Sequence, residues 1–245
     1  MEEPTFDPTE CSNCHTKTSG AYCQQCGQST SVHRITFHET LGDFFSSTFA
    51  LEGQLLTTIK LMVVNPGKLF REFIGGKRKS YYKPVAFFVV LTALYLIVRA
   101  LVDYNPIADV KEIQEGPGKK FAVAGQYMFA HINHIMILLV FSIGLNQKLF
   151  FWRKYNLAEY VAVGFYIAGF YTLLGVIQML INAFIYPVPS QLVLVILVAV
   201  VFYASLSLHQ KKSFRAFVKY FFATLLTLIL YLILGYGFSF LMVSF

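Results

Sequence analysis

Charge is scarce in this sequence: only 13% of its 245 residues are Asp, Glu, Lys or Arg, about half the share usual in soluble domains. No charged residue falls in the 27 positions from Phe121 to Gln147, the 51 from Tyr160 to Gln210, or the 26 from Tyr220 to Phe245. Tryptophan occurs once, at Trp152, and all four cysteines lie between Cys11 and Cys26. The shortage of charge excludes a soluble enzyme and a disordered tail. The confinement of cysteine to one short segment excludes a secreted disulfide scaffold. Apolar residues are abundant instead: 56% of the chain, including 25 Phe and 15 Tyr, with a mean hydropathy of +0.57. A water-soluble fold of this length has no interior large enough to hide that surface. The composition is that of an all-α membrane protein.

A helix rising 1.5 Å per residue needs ~20 apolar residues to cross a hydrocarbon core of ~30 Å. The 51-residue run therefore holds two spans, separated by Tyr186-Pro187-Val188-Pro189-Ser190, where two prolines interrupt any helix. Pro84 suits a first helical position, because its missing N–H would be unpaired there in any case. Five spans are expected, at 84–102, 130–150, 158–185, 191–209 and 218–242. Arg99, close to the end of the first, is placed to snorkel. Period-two alternation is missing from these runs, so a membrane barrel is not expected.

Lys and Arg set the orientation. Residues 1–83 carry nine, the loop after the second span three (Lys148, Arg153, Lys154) and the loop after the fourth span four (Lys211, Lys212, Arg215, Lys219). The other face has Arg99, Lys111, Lys119 and Lys120, so the division is 16 against 4. With positive charge inside, the N-terminus is expected in the cytoplasm and the C-terminus outside, in a bacterial inner membrane. Met1-Glu2-Glu3-Pro4 places acids where a leader peptide has its basic region, so no leader is expected. The net charge of +7 sits at span edges, which points to anionic lipid headgroups and away from nucleic acid.

Cys11-Ser-Asn-Cys14, eight further residues and Cys23-Gln-Gln-Cys26-Gly27 make two CxxC pairs. Such pairs each offer two thiolates to one ion, and a tetrahedral four-thiolate zinc site formed by Cys11, Cys14, Cys23 and Cys26 is the expected outcome. A closed shell leaves no open coordination position, so one structural Zn²⁺ is expected. With Ala21 and Tyr22 as its main apolar residues, the segment 1–34 depends on that metal to fold. The stretch from Cys26 to Phe37 offers no packing continuity, so the zinc ribbon is expected to be independent of the spans. His15, inside the first loop, is a ligand only if a cysteine is absent.

Residues 35–83 form a linker before the span domain of 84–245. Phe37, Leu41, Phe44, Phe45 and Phe49 recur at helical spacing, as do Leu55, Leu56, Ile59, Met62 and Val63. Glu39, Asp43, Glu52 and Lys60 interrupt them, as in amphipathic helices that lie along the inner leaflet or pack on the end of the bundle. Lys77, Arg78 and Lys79 then form a basic collar for anionic headgroups. The ribbon ending in Cys26-Gly27-Gln28, the stretch Asn65-Pro66-Gly67-Lys68-Leu69-Phe70-Arg71-Glu72-Phe73-Ile74 and Arg78-Lys79-Ser80-Tyr81-Tyr82-Lys83-Pro84 together resemble an uncharacterised bacterial membrane family, domain of unknown function 3667. The resemblance implies a ribbon ahead of a multi-span bundle and carries no activity. A fainter likeness, in layout alone, is to Yip-type five-span proteins.

Catalytic motifs are incomplete. Around Gly76-Lys77, Arg71 stands where a P-loop has its first glycine. His38-Glu39 lacks the second histidine of a zinc protease, because position 42 is Gly42. Gly237-Phe238-Ser239 and His131 (or His134) suggest a serine–histidine dyad, but Phe240 is bulky and no oxyanion donor is identifiable. A span serine more commonly bonds its own helix's carbonyl four residues back. Gln178 and Asn182 are expected to bond between helices. Gly164-x-x-x-Ala168 offers a small-residue face for packing within the bundle or within a homo-oligomer. The expected function is a non-enzymatic scaffold or adaptor whose cytoplasmic zinc ribbon recruits a protein partner. The alternative is a channel or transporter for a neutral or lipidic solute that uses Gln178 and Asn182, and an intramembrane serine hydrolase is a remote third.

Overall fold

The structure is a computed structural model, and it describes residues 9–30, 53–105, 119–186, 188–189, 191–210 and 213–244. The expected helix through Phe37–Phe49, the loop cations Lys111, Lys211 and Lys212, and Pro187 lie outside the described residues. Two short strands, β1 (Thr9–Glu10) and β2 (Lys17–Thr18), pair antiparallel in the ribbon. Eight described helices follow: α1 (Gln54–Val64), α2 (Pro66–Ile74), α3 (Pro84–Leu101), α4 (Lys119–Ala130), α5 (Ile132–Phe150), α6 (Leu157–Phe184), α7 (Gln191–His209) and α8 (Phe214–Ser244).

Four of them, α3, α6, α7 and α8, are long and apolar enough to cross a membrane. The straight span expected at 130–150 is not observed; α4 and α5 form a pair bent by 91° at a break beside His131, the geometry of a broken span or a re-entrant loop. Arg99 does not snorkel freely at the end of α3. Its guanidinium donates to the Ala130 carbonyl at 3.0 Å and, through Nε, to that of Tyr104 at 3.3 Å. The first of these bonds ties α3 to the last residue of α4.

The bundle is organised around α6, which packs on α3 along one side and on α5 along another. Its start is fixed by a reciprocal cap. Asn156 Oδ1 accepts from the Glu159 amide at 2.8 Å, and Glu159 accepts from the Asn156 amide at 2.6 Å. The small residues of α6 permit close approach on both sides. A Cβ on Gly164 would lie 2.7 Å from the Val140 carbonyl of α5, and one on Gly169 would lie 2.7 Å from the Phe87 ring of α3. The Gly164-x-x-x-Ala168 face is thus spent inside the bundle. Helix α8 flanks α4, α5 and α7, and its outward row of Phe217, Phe221, Phe222, Leu225, Ile229 and Ile233 is exposed, as lipid-facing residues are.

The α1–α2 pair packs on the bundle, one of the two placements expected for that half of the linker. Asn65 caps α2 by accepting from the Lys68 amide, and Pro66 takes the first helical position. Phe70 and Phe73 then meet Tyr166 of α6, with ring centroids 6.0 and 5.6 Å apart. At Gly67 the backbone presses on α7 so closely that a Cβ would lie 1.8 Å from the Ser207 carbonyl. The Gly67 amide donates to Ser207 Oγ at 2.8 Å, and Arg71 donates to the Ser207 carbonyl at 2.5 Å. The other side of α1 leaves Leu56, Val63 and Val64 exposed.

Candidate metal centre

Each CxxC pair builds the same knuckle. The amide of His15 donates to the Cys11 carbonyl at 2.8 Å, and that of Gly27 donates to the Cys23 carbonyl, also at 2.8 Å. The amide of Cys11 donates to Thr16, and that of Cys23 to Gln28. The residue after the second cysteine must turn the chain back through a left-handed conformation, with φ of 61° at His15 and 69° at Gly27. Glycine adopts this conformation without strain, and His15 is the less suited occupant of the equivalent position. Its ring lies outside the cluster, 3.0 Å from the Glu10 carboxylate.

The two knuckles face each other, bringing the Sγ atoms of Cys11, Cys14, Cys23 and Cys26 within 4.8 Å of one another. Cys11 and Cys26 are 3.7 Å apart, and Cys14 and Cys23 are 3.5 Å apart. A tetrahedron of sulfurs about 2.3 Å from a central ion has edges of about 3.8 Å, so the thiols already stand close to the corners such an ion requires. They are too far apart for disulfides, whose sulfurs lie about 2.05 Å apart. The Thr16 side chain and amide lower the Cys14 thiol to about 6. The Gln28 amide favours the Cys26 thiolate, but burial and the neighbouring Cys14 and Cys11 sulfurs outweigh it and push that thiol up to about 11. Negative charge on one sulfur therefore opposes charge on the next, and a central cation removes that opposition. The four-cysteine set thus fits a metal ion.

The ribbon is not independent of the helices. Gln28, buried at 6% exposure, reaches out of the second knuckle and holds the collar at two points. Its Nε2 donates to the Gly76 carbonyl at 2.8 Å, and its Oε1 accepts from the Lys79 amide at 2.9 Å. Asn13, in the first knuckle, accepts from the Ser80 hydroxyl. Each CxxC loop thus contributes an amide side chain to the same collar. Sequence reasoning missed this because the partners of Gln28 are distant backbone groups that no side-chain pattern reveals. The collar cations are partly engaged: the Lys77 ammonium lies 3.1 Å from the Glu72 carboxylate, which also accepts from Tyr81.

The other expected site residues do not converge. Ser239 is fully buried in α8 with no hydrogen-bond partner among the described residues, and the carbonyl four residues back does not receive its hydroxyl. The His131 ring contacts the Tyr127 carbonyl at 3.1 Å and stacks on the Tyr127 ring. Among the described residues no hydrogen bond joins Ser239 to His131. Asn182 does not bridge helices but accepts from the Val188 amide at 2.6 Å, closing the turn after α6. Gln178 lines a cavity of about 80 Å³ whose walls include Tyr95, Met136, Tyr171 and Val193.

No curated protein and no solved structure matches the chain. The family comparison falls on the helices after the ribbon and does not include the cysteines. Residues 52–96, which span α1, α2, the collar and most of α3, match the model of the family described as "Protein of unknown function (DUF3667)", bearing out the likeness carried by Asn65–Ile74 and Arg78–Pro84.

Proposed function

We propose that the protein is a membrane scaffold or adaptor whose ribbon, closed by one structural Zn²⁺, presents a protein-binding surface in a fixed pose on the bundle. The observation that carries this reading is the double hold of Gln28 on Gly76 and Lys79. A metal module on a loose tether would need no such clamp. A clamped one sets the direction in which its partner is displayed. Four sulfurs fill a tetrahedral shell, so no position remains for a water or substrate, and the site favours structure over catalysis. Ser12, His15, Lys17, Tyr22, Gln24 and Gln25 are exposed and form the surface available to a partner.

In this reading the ribbon lies in the cytoplasm of a bacterial cell, on the side favoured by the 16-to-4 division of Lys and Arg. The collar adds attraction to anionic headgroups. A channel or transporter is the second reading, supported by the polar Gln178 side chain on the wall of a cavity that Thr172 and Tyr171 also line. Site-directed photo-crosslinking from Tyr22 in the full-length chain in membranes separates the two. The adaptor predicts one discrete crosslinked protein species, lost when Cys23 and Cys26 are both changed to Ser. Absence of any crosslink, together with solute flux in proteoliposomes that is lost in Gln178→Leu, establishes the second reading instead.

A further inference from the structure

At the end of the bundle where α6 begins, the loop joining α5 to α6 folds against the end of α7 and the first turns of α8. Together they enclose a concavity of about 320 Å³. Its lining, among the described residues, includes three cations, Arg153, Lys154 and Lys219, and no carboxylate. The nearby Glu159 is 2% exposed and turned into its capping bonds with Asn156. The floor is aromatic. His209 stacks between Phe151, at 3.8 Å, and Tyr220, at 5.6 Å. His209 is fixed from behind by Gln147, whose amide oxygen lies 3.0 Å from Nε2 and whose amide nitrogen donates to Ser205.

The cations stand at the exposed rim of the pocket, two of them against aromatic rings. Lys219 Nζ lies 4.7 Å from the Phe151 ring centroid, and the Arg153 guanidinium 4.8 Å from that of Trp152. Lys154 Nζ reaches the Leu208 carbonyl at 3.4 Å. Trp152 is the chain's only tryptophan, and it is 61% exposed beside the pocket. Tryptophan concentrates at the membrane–water boundary, where an apolar ring and a polar N–H are both accommodated. The pocket therefore lies at headgroup depth, with Phe150 and Ala216 completing its lining.

The geometry points to a binding site for a phosphate group, carried by a lipid headgroup or by a free small molecule, held by Arg153, Lys154 and Lys219 above the Phe151–His209–Tyr220 stack. A guanidinium offers two parallel donors to phosphate oxygens, and the two ammonium groups supply charge from either side. The site is separate from the Lys77–Arg78–Lys79 collar and does not depend on the ribbon. It joins the α5–α6 loop to α8, so occupancy ties the two together.

The test uses the full-length protein in nanodiscs, with native mass spectrometry of retained lipid. One arm contains phosphatidylcholine alone, a second an equal mixture of phosphatidylcholine and phosphatidylglycerol with matched chains, and a third phosphatidylcholine with millimolar inorganic phosphate. Retention of phosphatidylglycerol at about ten times the level of phosphatidylcholine, cut about tenfold in Arg153→Gln/Lys219→Gln but not in Lys17→Gln/Lys120→Gln, supports the site and assigns it to lipid. A thermal shift from phosphate alone, lost in the same double variant, supports it and assigns it to a soluble phosphate. No preference in either arm, or a preference that the double variant retains, overturns the proposal. Should that variant fail to fold, a photoactivatable anionic phospholipid on the unaltered protein decides the matter: crosslinks must fall within 150–154 or 216–220, and crosslinks elsewhere overturn it.

Discussion

Between Glu10 and Thr30 the buried side chains are Cys11, Thr18, Cys23 and Gln28, whereas α6 alone buries Tyr160, Tyr166, Ile167, Phe170 and many others. The ribbon has almost no apolar surface to remove from water, so a metal held by its four sulfurs would supply the ordering free energy that burial does not. The bundle has the opposite character: its elements meet through aromatic rings and through glycines that let backbones touch. Between them lies the collar, where neither mechanism operates and hydrogen bonds from Gln28 and Asn13 make the join. The comparison shows that a small metal module can be fixed to a membrane bundle by amides placed within its own knuckles. The same residues that turn the chain around the metal then orient the module.

Removing the metal should separate the two regions most completely. In Cys23→Ser/Cys26→Ser, or after chelation, bound zinc should fall from about one per chain to none. Hydrogen-exchange protection of residues 9–30 should vanish, since structural zinc contributes on the order of 10 kcal/mol in such peptides. The helical signal of the spans should persist, and its collapse would show that the ribbon is needed for the bundle. Gly67→Val strikes the other region. A Cβ there would lie 1.8 Å from the Ser207 carbonyl, so α2 must lift from α7, at about 3 kcal/mol from overpacking. Thermal unfolding should show that loss with zinc content unchanged.

The join itself is tested by Gln28→Ala. It leaves the buried Gly76 carbonyl and the part-buried Lys79 amide without the Gln28 side chain, a cost of about 2 kcal/mol. Zinc should stay at about one per chain while the ribbon, residues 9–30, becomes several times more sensitive to limited proteolysis. If sensitivity does not change, the clamp contributes nothing to how the ribbon is held.

Much of this was legible in the residues, and the reasons differ by region. Spans announce themselves because a bilayer demands a long run without charge, so α3, α6, α7 and α8 could be read directly. The cysteine spacing is as local as a signal can be, and the four sulfurs do meet. The 91° break at His131 was less legible, because the run from Phe121 to Gln147 contains no proline and its one sign is the polar cluster of His131, Asn133 and His134 at the bend. The docking of α2 was not legible, because its apolar face fits a membrane surface as well as it fits Tyr166. Gln28 was invisible for a different reason: its partners are backbone groups 48 and 51 residues away, which have no side-chain identity to read.

The smallest expected effect concerns Glu72, whose carboxylate links α2 to the collar just where the ribbon is clamped. Partial burial alone would raise its pKa. The hydrogen bond from Tyr81 and the Lys77 ammonium at 3.1 Å outweigh that, and hold the carboxyl below its ordinary 4.5. A carboxylate with a lower pKa in the folded state contributes stability that is present above its unfolded value and is lost as pH falls through the folded one. Thermal stability should therefore decline below about pH 4.5 in the unaltered protein, and part of that decline should be missing in Glu72→Gln. At neutral pH the substitution should cost only ~0.5 kcal/mol, because the Lys77 pair is partly solvated and screened by water. Acid also competes with metal for the cysteines, so the comparison must be made in Cys23→Ser/Cys26→Ser, where zinc is already gone. If the acid limb in that background is the same with Glu72 and with Gln, the Glu72–Tyr81–Lys77 contacts do not stabilise the collar, and Gln28 and Asn13 hold the two regions together without them.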